Sequence, residues 1–203
     1  MPWILTSLIC LPLAVRAGEW QVDNKAPDNH VKFTSRVTAF TFSGVTDQID
    51  GFVYWEGDSL FARKSQFRFE VNLAGFDTGI GKRDRDMREV LDTEKWPRAV
   101  YKGVIAEHAA VDSTVAAYRV ETRGTLSLHG VDRAIEVPGT VVLEEGRSRI
   151  EAAFTLKLAD YEIEAPSLAA FVKVSQEIAL EISVYMNHLA PAEDPRETEG
   201  ADR

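Results

Sequence analysis

The stretch Gln66-Phe67-Arg68-Phe69-Glu70-Val71-Asn72-Leu73 alternates polar and apolar residues with a period of two. Because successive side chains of a β-strand point to opposite faces, this order gives one strand a dry face and a wet face. The same alternation returns along the chain at 118–128, 135–143, 150–158 and 174–184. We therefore predict an all-β fold in which each strand buries one side.

Short polar turns separate these strands, as at Gly130-Val131-Asp132 and Glu144-Glu145-Gly146. Turns of this length join neighbouring antiparallel strands, so the pattern predicts a meander. Such a sheet either folds into a two-layer sandwich or closes into a barrel, which removes the unpaired edges. With about eight strands, a barrel interior accommodates side chains or one ligand. The acidic end of the chain and the lack of aromatic girdles argue against stable membrane insertion as an outer-membrane barrel.

One segment departs from the strand pattern. Between residues 81 and 95 the charges are dense, but Met87, Val90 and Leu91 recur at helical spacings and Pro97 follows. This pattern predicts one short amphipathic helix over Gly81 to Lys95. Because the helix must bury its apolar stripe, we expect these three side chains to pack against one open end of the barrel.

The two ends of the chain differ from its body. The apolar run from Ile4 to Val15, followed by the compact Ala17-Gly18, predicts a signal peptide over residues 1–17 and a periplasmic or secreted protein. The run is shorter than the roughly 20 residues that span a bilayer. A buried amino-terminal helix is the alternative, because no basic side chain precedes the run. Residues 190–203 are rich in acids and proline and are predicted to be a disordered acidic tail. The predicted domain therefore covers 18–189.

Composition narrows the classes of function. The chain has 203 residues, 45% of them hydrophobic, and a formal net charge of −9. A negative protein lacks the basic face that displaces counterions from phosphates, so we expect no nucleic-acid partner. The four histidines are scattered without ligand spacing, and the single cysteine lies in the predicted signal peptide. No nucleotide-binding or nucleophile motif is present, so we predict no metal, no cofactor and no catalytic residues.

Several motifs together are more specific than the strand pattern. They are the spaced glycines of Gly44-Val-Thr-Asp-Gln-Ile-Asp-Gly51, the Asp77-Thr78-Gly79 turn with Arg83-Asp84 after it, the Trp96-Pro97 pair, and the stretch from Arg123 to Val131. This combination resembles the YceI-like family across nearly the whole of 18–189. The chain departs from that family at Thr46, where a phenylalanine is common, at Asp86, where many members have histidine, and at Glu162, where glycine is usual.

The resemblance implies an eight-stranded antiparallel lipocalin-like β-barrel with one short helix. It also implies that the elongated apolar lumen binds a long amphiphile outside the cytoplasm: a polyisoprenoid, an isoprenoid quinone or a related lipid. The candidate ligand-binding residues are the apolar side chains expected on the inner face and on the helix: Phe67, Phe69, Val71, Met87, Leu91, Tyr118, Val120, Ile135, Ile150, Ala152 and Phe154.

Other functions remain open at the level of sequence. The same apolar residues could fill a packed core, which would make the protein a purely structural secreted barrel. An enzyme that isomerises or cyclises a small apolar substrate could use the same interior, with Tyr118, His129 or Asp160 as proton donor. The sequence also does not decide between a monomer and a homodimer.

Overall fold

A computed structural model describes residues 17–37, 40–57, 59–61, 65–112, 116–165, 167–169 and 172–189. The predicted signal peptide up to residue 16 and the predicted tail lie outside these residues. Within them, short 3-10 turns cover Leu73–Gly75 and Leu158–Tyr161, and one α-helix, α1, covers Gly81–Val90. The strands are β1 (Ala17–Val22), β2 (His30–Val37), β3 (Thr41–Thr46), β4 (Ile49–Glu56), β5 (Gln66–Asn72), β6 (Arg98–Asp112), β7 (Ala117–Leu128), β8 (Val131–Glu144), β9 (Arg147–Lys157), β10 (Ser167–Ala169) and β11 (Val172–Leu189).

The sheet closes into a barrel with eight strand positions. From β4 the order runs through β5, β6, β7, β8, β9 and β11, and β11 then pairs with both β1 and β2. The long strand β11 pairs with β2 along its first part and with β1 along its last part, so β1 and β2 together occupy one strand position of the barrel. Their partners β4 and β3 share the next position. All these pairs are antiparallel, and the predicted eight-stranded all-β barrel with one helix is confirmed.

Apolar side chains line most of the interior, from one end of the barrel to the other. Alternation places Ile150, Ala152 and Phe154 of β9 on the inner face, while Ala153 is exposed on the outer face. One core cluster lies at the α1 end and includes Leu73, Phe76 and Leu126. A second cluster fills the other end around Trp20 and Trp55, whose rings meet edge to face at 5.2 Å.

The prediction that the helix extends to Lys95 is wrong, because α1 ends at Val90. Asp92 adopts a left-handed φ of 46°, which breaks the helical backbone before Pro97 is reached. Residues 91–95 instead form turns, held by the Trp96 N–H donating to the Asp92 carbonyl at 2.8 Å.

The ladder between β8 and β9 stops partway along both strands. The two strands pair from Glu144↔Arg147 to Gly139↔Ala152, and the described residues of β8 before Gly139 do not pair with β9. The Leu143 N–H donates to the carbonyl that precedes β7, at 2.8 Å, so the N–H groups of even-numbered residues of β8 point to β9. Pro138 occupies the next such position and has no N–H to donate. Beyond it, the turn after β9 contacts β8, with Arg133 Nε donating to the carbonyl of Asp160 at 2.7 Å.

Candidate ligand-binding site

The barrel encloses a cavity of about 510 Å³. Every strand position and α1 contribute to its wall, which consists almost entirely of apolar side chains. Phe67, Val53 and Val120 form part of the wall in the cluster far from α1, and each is at most 5% exposed. Exposed wall residues mark the other end, where Phe40 and Ile80 are 50% and 53% exposed. The cavity is therefore apolar inside and meets solvent beside the helix.

The structure brings most of the sequence-predicted residues together around this cavity. The following candidates line it: Phe67, Phe69, Val71, Met87, Leu91, Val120, Ile150, Ala152 and Phe154. The remaining two, Tyr118 and Ile135, are not part of its wall. Tyr118 lies near the tip of the β6–β7 hairpin with its ring 4.7 Å from that of Phe61, and Ile135 packs against the core cluster at the α1 end.

The helix packs as its apolar stripe predicts. Met87, Val90 and Leu91 are half-buried against the core cluster at that end, and all three line the cavity. An amphipathic helix stabilises a small domain mainly by burying such a stripe. In this protein the stripe also forms part of the cavity wall.

Other wall residues were not identified from the sequence. They come from the two interrupted strand positions and from β6: Val31, Phe33, Ser35, Phe42, Ile49, Val53, Tyr101 and Ile105. In β2, Val31, Phe33 and Val37 alternate with polar residues, and this strand pattern could have predicted the inner face of β2.

Two polar side chains of the inner wall, Tyr101 and Thr122, are joined in a short chain of hydrogen bonds. Thr122 Oγ1 donates to the carbonyl of Val137 at 2.9 Å. Since its only proton is used there, the hydroxyl of Tyr101, 3.0 Å away, donates to Thr122 Oγ1. Burial raises the pKa of Tyr101 above its ordinary value. The phenol therefore stays protonated and hydrogen-bonded at neutral pH.

The Thr78 to Asp84 motif anchors the helix to the barrel. Asp84 Oδ1 accepts from the hydroxyl of Thr78 at 2.5 Å and from its backbone N–H at 2.9 Å. These hydrogen bonds favour the ionised carboxylate and hold the pKa of Asp84 below its ordinary value. Arg83 contacts the same residue, with Nε donating to Thr78 Oγ1 and Nη2 to its carbonyl, each at 3.0 Å. The motif thus fixes the start of α1 beside the cavity.

Charged side chains lie at this end of the cavity. Lys82 and Asp86, one helical turn apart, form an ion pair of 2.6 Å, and both line the wall. The guanidinium of Arg83 lies 4.8 Å from the ring centroid of Phe42. The cavity therefore combines an apolar interior with one charged end.

Among the residues that the structure describes, no three or more histidine, cysteine, aspartate or glutamate side chains are grouped to hold a metal ion. No helix within the same residues has the length and apolarity needed to span a membrane.

Fold and site together define a closed antiparallel β-barrel with an apolar internal cavity that a helix borders at one end. The chain belongs to the YceI-like domain family, whose model matches residues 20–186. No curated protein matches it in sequence.

Two solved structures show how far this fold is shared. A polyisoprenoid binding domain from Saccharophagus degradans, implicated in plant cell wall breakdown, superposes with a TM-score of 0.68 at 22% identity, covering 85% of this chain and 98% of that one. BcnA from Burkholderia cenocepacia superposes with a TM-score of 0.65 at 17% identity, covering 81% of this chain and 98% of that one. At these identities, the likeness establishes the barrel fold.

Proposed function

We propose that this protein binds a long apolar amphiphile in the barrel lumen and carries or stores it without chemical change. The observation that carries this proposal is the cavity of about 510 Å³, whose wall is almost entirely apolar. Most of its charged wall residues, Lys82, Arg83 and Asp86, lie on α1. The similar barrel from Saccharophagus degradans, described as a polyisoprenoid binding domain, supports an isoprenoid chain as the apolar part.

The energetics favour a chain-like ligand. Each methylene transferred from water into an apolar site contributes roughly 0.8 kcal/mol. A chain of about ten carbons therefore gains several kcal/mol even after the cost of its ordering is subtracted. The hydroxyls of Tyr101 and Thr122 on the inner wall need no hydrogen-bond partner from the ligand, because they already bond to each other and to the barrel backbone. Apolar contact is thus the main source of affinity.

The geometry gives the enzymatic alternative little support. Its three proton-donor candidates, Tyr118, His129 and Asp160, are not among the described residues of the cavity wall. His129 Nδ1 lies 3.2 Å from the carbonyl of Tyr161, outside the lumen. A carrier role requires none of these groups.

Export from the cytoplasm belongs to the same proposal. The apolar run before Ala17 supports cleavage of a signal peptide and a periplasmic or secreted barrel. Amino-terminal sequencing of the protein from the extracytoplasmic fraction is expected to begin at Gly18 or a neighbouring residue. An intact Met1 on cytoplasmic protein would contradict export while leaving the carrier function untouched.

A series of isoprenoid alcohols with increasing numbers of units tests the binding function. Displacement of a fluorescent apolar probe is expected to show affinity that rises with each added unit until the cavity is filled, and then levels off. The rise follows from the added buried methylenes, and the plateau from the fixed length of the lumen. Affinity independent of chain length, or no displacement at all, would contradict binding in the lumen.

A further inference from the structure

We propose that the opening of the barrel beside α1 docks transiently on the surface of a phospholipid bilayer, with Phe40 and Ile80 entering that surface, and that the ligand passes between bilayer and lumen during this contact. The inference rests on the proposed carrier function and adds the partner with which the ligand is exchanged.

Ile80 is an apolar residue at a position where helices favour a polar one. It is the N-cap of α1, its side chain makes no capping hydrogen bond, and it is 53% exposed. N-cap residues are normally Ser, Thr, Asp or Asn, whose side chains accept a hydrogen bond from the first turn of the helix. Gly79 and Gly81 flank it, so no side chain of its immediate neighbours covers it. The isoleucine therefore contributes neither a cap nor a buried contact that would explain its presence.

Phe40 is a second exposed apolar residue at this opening. It lies in the turn between β2 and β3, where its N–H donates to the Val37 carbonyl at 3.3 Å and its carbonyl accepts from the Val37 N–H at 2.8 Å. The residue is 50% exposed. Surface turns favour Gly, Pro, Asn, Asp and Ser, so the conformation of this turn does not require an aromatic side chain.

The two residues border the same opening. Two backbone hydrogen bonds of 2.9 Å hold the segment before α1 antiparallel beside β3. Further along, the Arg83 guanidinium lies 4.8 Å from the ring centroid of Phe42. Phe40 comes shortly before Phe42 in the chain, Ile80 comes shortly before Arg83, and both line the cavity. Together they form an exposed apolar edge, the Phe40–Ile80 rim.

A lipid bilayer is the occupant that fits this rim. A long apolar amphiphile resides in membranes rather than free in water, because burial of its methylenes is favourable. A carrier therefore takes up or delivers such a ligand most directly at a bilayer, and the cavity opens at the rim. Apolar side chains of peripheral proteins enter the boundary between head groups and acyl chains. Since even one myristoyl chain binds membranes only reversibly, contact through two side chains is transient.

The contact is apolar rather than electrostatic. The chain has a formal net charge of −9, which opposes attraction to an anionic surface. Lys82 and Asp86 of the same wall form an ion pair of 2.6 Å and together add no net charge. We therefore expect docking on a zwitterionic phosphatidylcholine bilayer, with little dependence on salt.

Transfer of a fluorescent farnesyl analogue from the protein to phosphatidylcholine vesicles tests the docking. If transfer occurs during contact, its rate rises in proportion to the vesicle concentration, whereas prior dissociation into water makes the rate independent of it. We expect the proportional rise for the wild type. Ile80→Ser and Phe40→Ser should each lower its slope about tenfold, because most of the inserted apolar area is lost. Ile80→Ser should not lower the melting temperature, since serine is the better N-cap.

Val111 offers a matched control. It is apolar and 55% exposed, but it lies near the tip of the β6–β7 hairpin and is not part of the described cavity wall. Val111→Ser should leave the slope unchanged. If it lowers the slope as much as Ile80→Ser does, general adsorption of apolar surface explains the transfer and the assignment to the rim is overturned.

A measurement without ligand separates docking from the carrier function. Vesicles of brominated phosphatidylcholine quench an indole that enters the bilayer. The fluorescence that Ile80→Trp adds to that of the wild type should be quenched, and the fluorescence that Val111→Trp adds should not.

A wild-type transfer rate that is independent of vesicle concentration, or an unquenched indole in Ile80→Trp, would overturn the docking and leave the carrier function standing. Failure of the wild type to bind the analogue would contradict the carrier function, while the quenching still decides the docking. A wild-type dimer that Ile80→Ser converts to a monomer would mean that a second copy covers the rim, and would overturn the bilayer as its occupant.

Discussion

Replacing Ala152 with tryptophan is a direct perturbation of the lumen. Ala152 lies on the inner face of β9, between Gly139 on one neighbouring strand and Ile182 on the other. A Cβ placed on Gly139 would lie 3.7 Å from the Ala152 Cβ. The small pair therefore leaves room beside the cavity, and an indole at Ala152 would extend into it.

The size of the effect follows from the volume that the ring removes. A cavity of roughly 150 Å³ accommodates a benzene ring in an engineered core, and an indole needs at least that much of the 510 Å³ present here. About a third of the bound chain is displaced. If five methylenes are expelled, the loss is about 4 kcal/mol, and sliding of the ligand toward the mouth recovers part of it. We expect affinity to fall at least tenfold, which corresponds to about 1.4 kcal/mol.

Titration with a fluorescent isoprenoid analogue measures this loss, and Ala153→Trp is the matched control because Ala153 is exposed on the outer face. The control should bind like the parent. If both variants bind as tightly as the parent, the ligand is not in the barrel. If Ala152→Trp unfolds the protein instead, the interior is a packed core, since overpacking costs about 1–3 kcal/mol there.

Four further predictions follow from particular residues. Leu91→Asp places a carboxylate among the half-buried contacts of the helix, and should lower the free energy of unfolding in urea by about 2 kcal/mol or more. Unchanged stability together with an unchanged rate of ligand dissociation would mean that the helix does not pack against the barrel. Glu162 has a left-handed φ of 57°, a conformation that glycine adopts without strain, so Glu162→Gly should raise the free energy of unfolding by about 0.5–1 kcal/mol. The control Glu89→Gly, within α1, should lower it by about 1 kcal/mol. A loss of stability in both variants would refute the strain argument. The pKa of Asp84 is lowered in the fold, so its contribution to the free energy of unfolding is complete above the ordinary pKa of an aspartate and is lost as the pH falls below about 4. Asp84→Asn should therefore lose less stability than the parent over that pH range. Equal acid sensitivity of the two proteins would count against this role. Chelator treatment should leave the melting temperature unchanged, and stoichiometric zinc or iron in tag-free protein would contradict metal independence.

The period-two pattern of the sequence was sufficient to predict which side chains face the barrel interior where the strands are regular, and it failed where the strands are irregular. It identified the inner faces of β5 and β9, where the alternation is unbroken. In β7 it identified only part of the inner face, because Thr122 and Gly124 interrupt the apolar series. In β6 the register shifts between Ile105 and Glu107, and one extra residue exchanges the inner and outer faces. His108, after the shift, stacks on Phe61 at 4.2 Å, whereas Tyr101, before it, lines the cavity. Such a bulge depends on the neighbouring strand and is not visible in the sequence alone.

The candidate site was predictable in its apolar part and not in its polar part. Phe67, Ile150 and Phe154 follow from alternation, but Ser35 violates it, since a serine in an apolar series reads as a break rather than a wall residue. The contacts of Arg83 could not be deduced either, because its neighbour Phe42 belongs to a strand far away in sequence. Helix length was misjudged because the left-handed turn at Asp92 has no glycine to mark it.

Mass spectrometry of an organic extract of the purified full-length protein tests the central claim most directly. Protein isolated from the extracytoplasmic fraction of its source under non-denaturing conditions should release one long-chain amphiphile, unmodified and near one equivalent per barrel, and Ala152→Trp should release much less of it than Ala153→Trp. Equal amounts of lipid from both variants would contradict binding in the lumen. Recovery of a chemically altered product after incubation with that amphiphile would contradict the carrier account in favour of an enzyme.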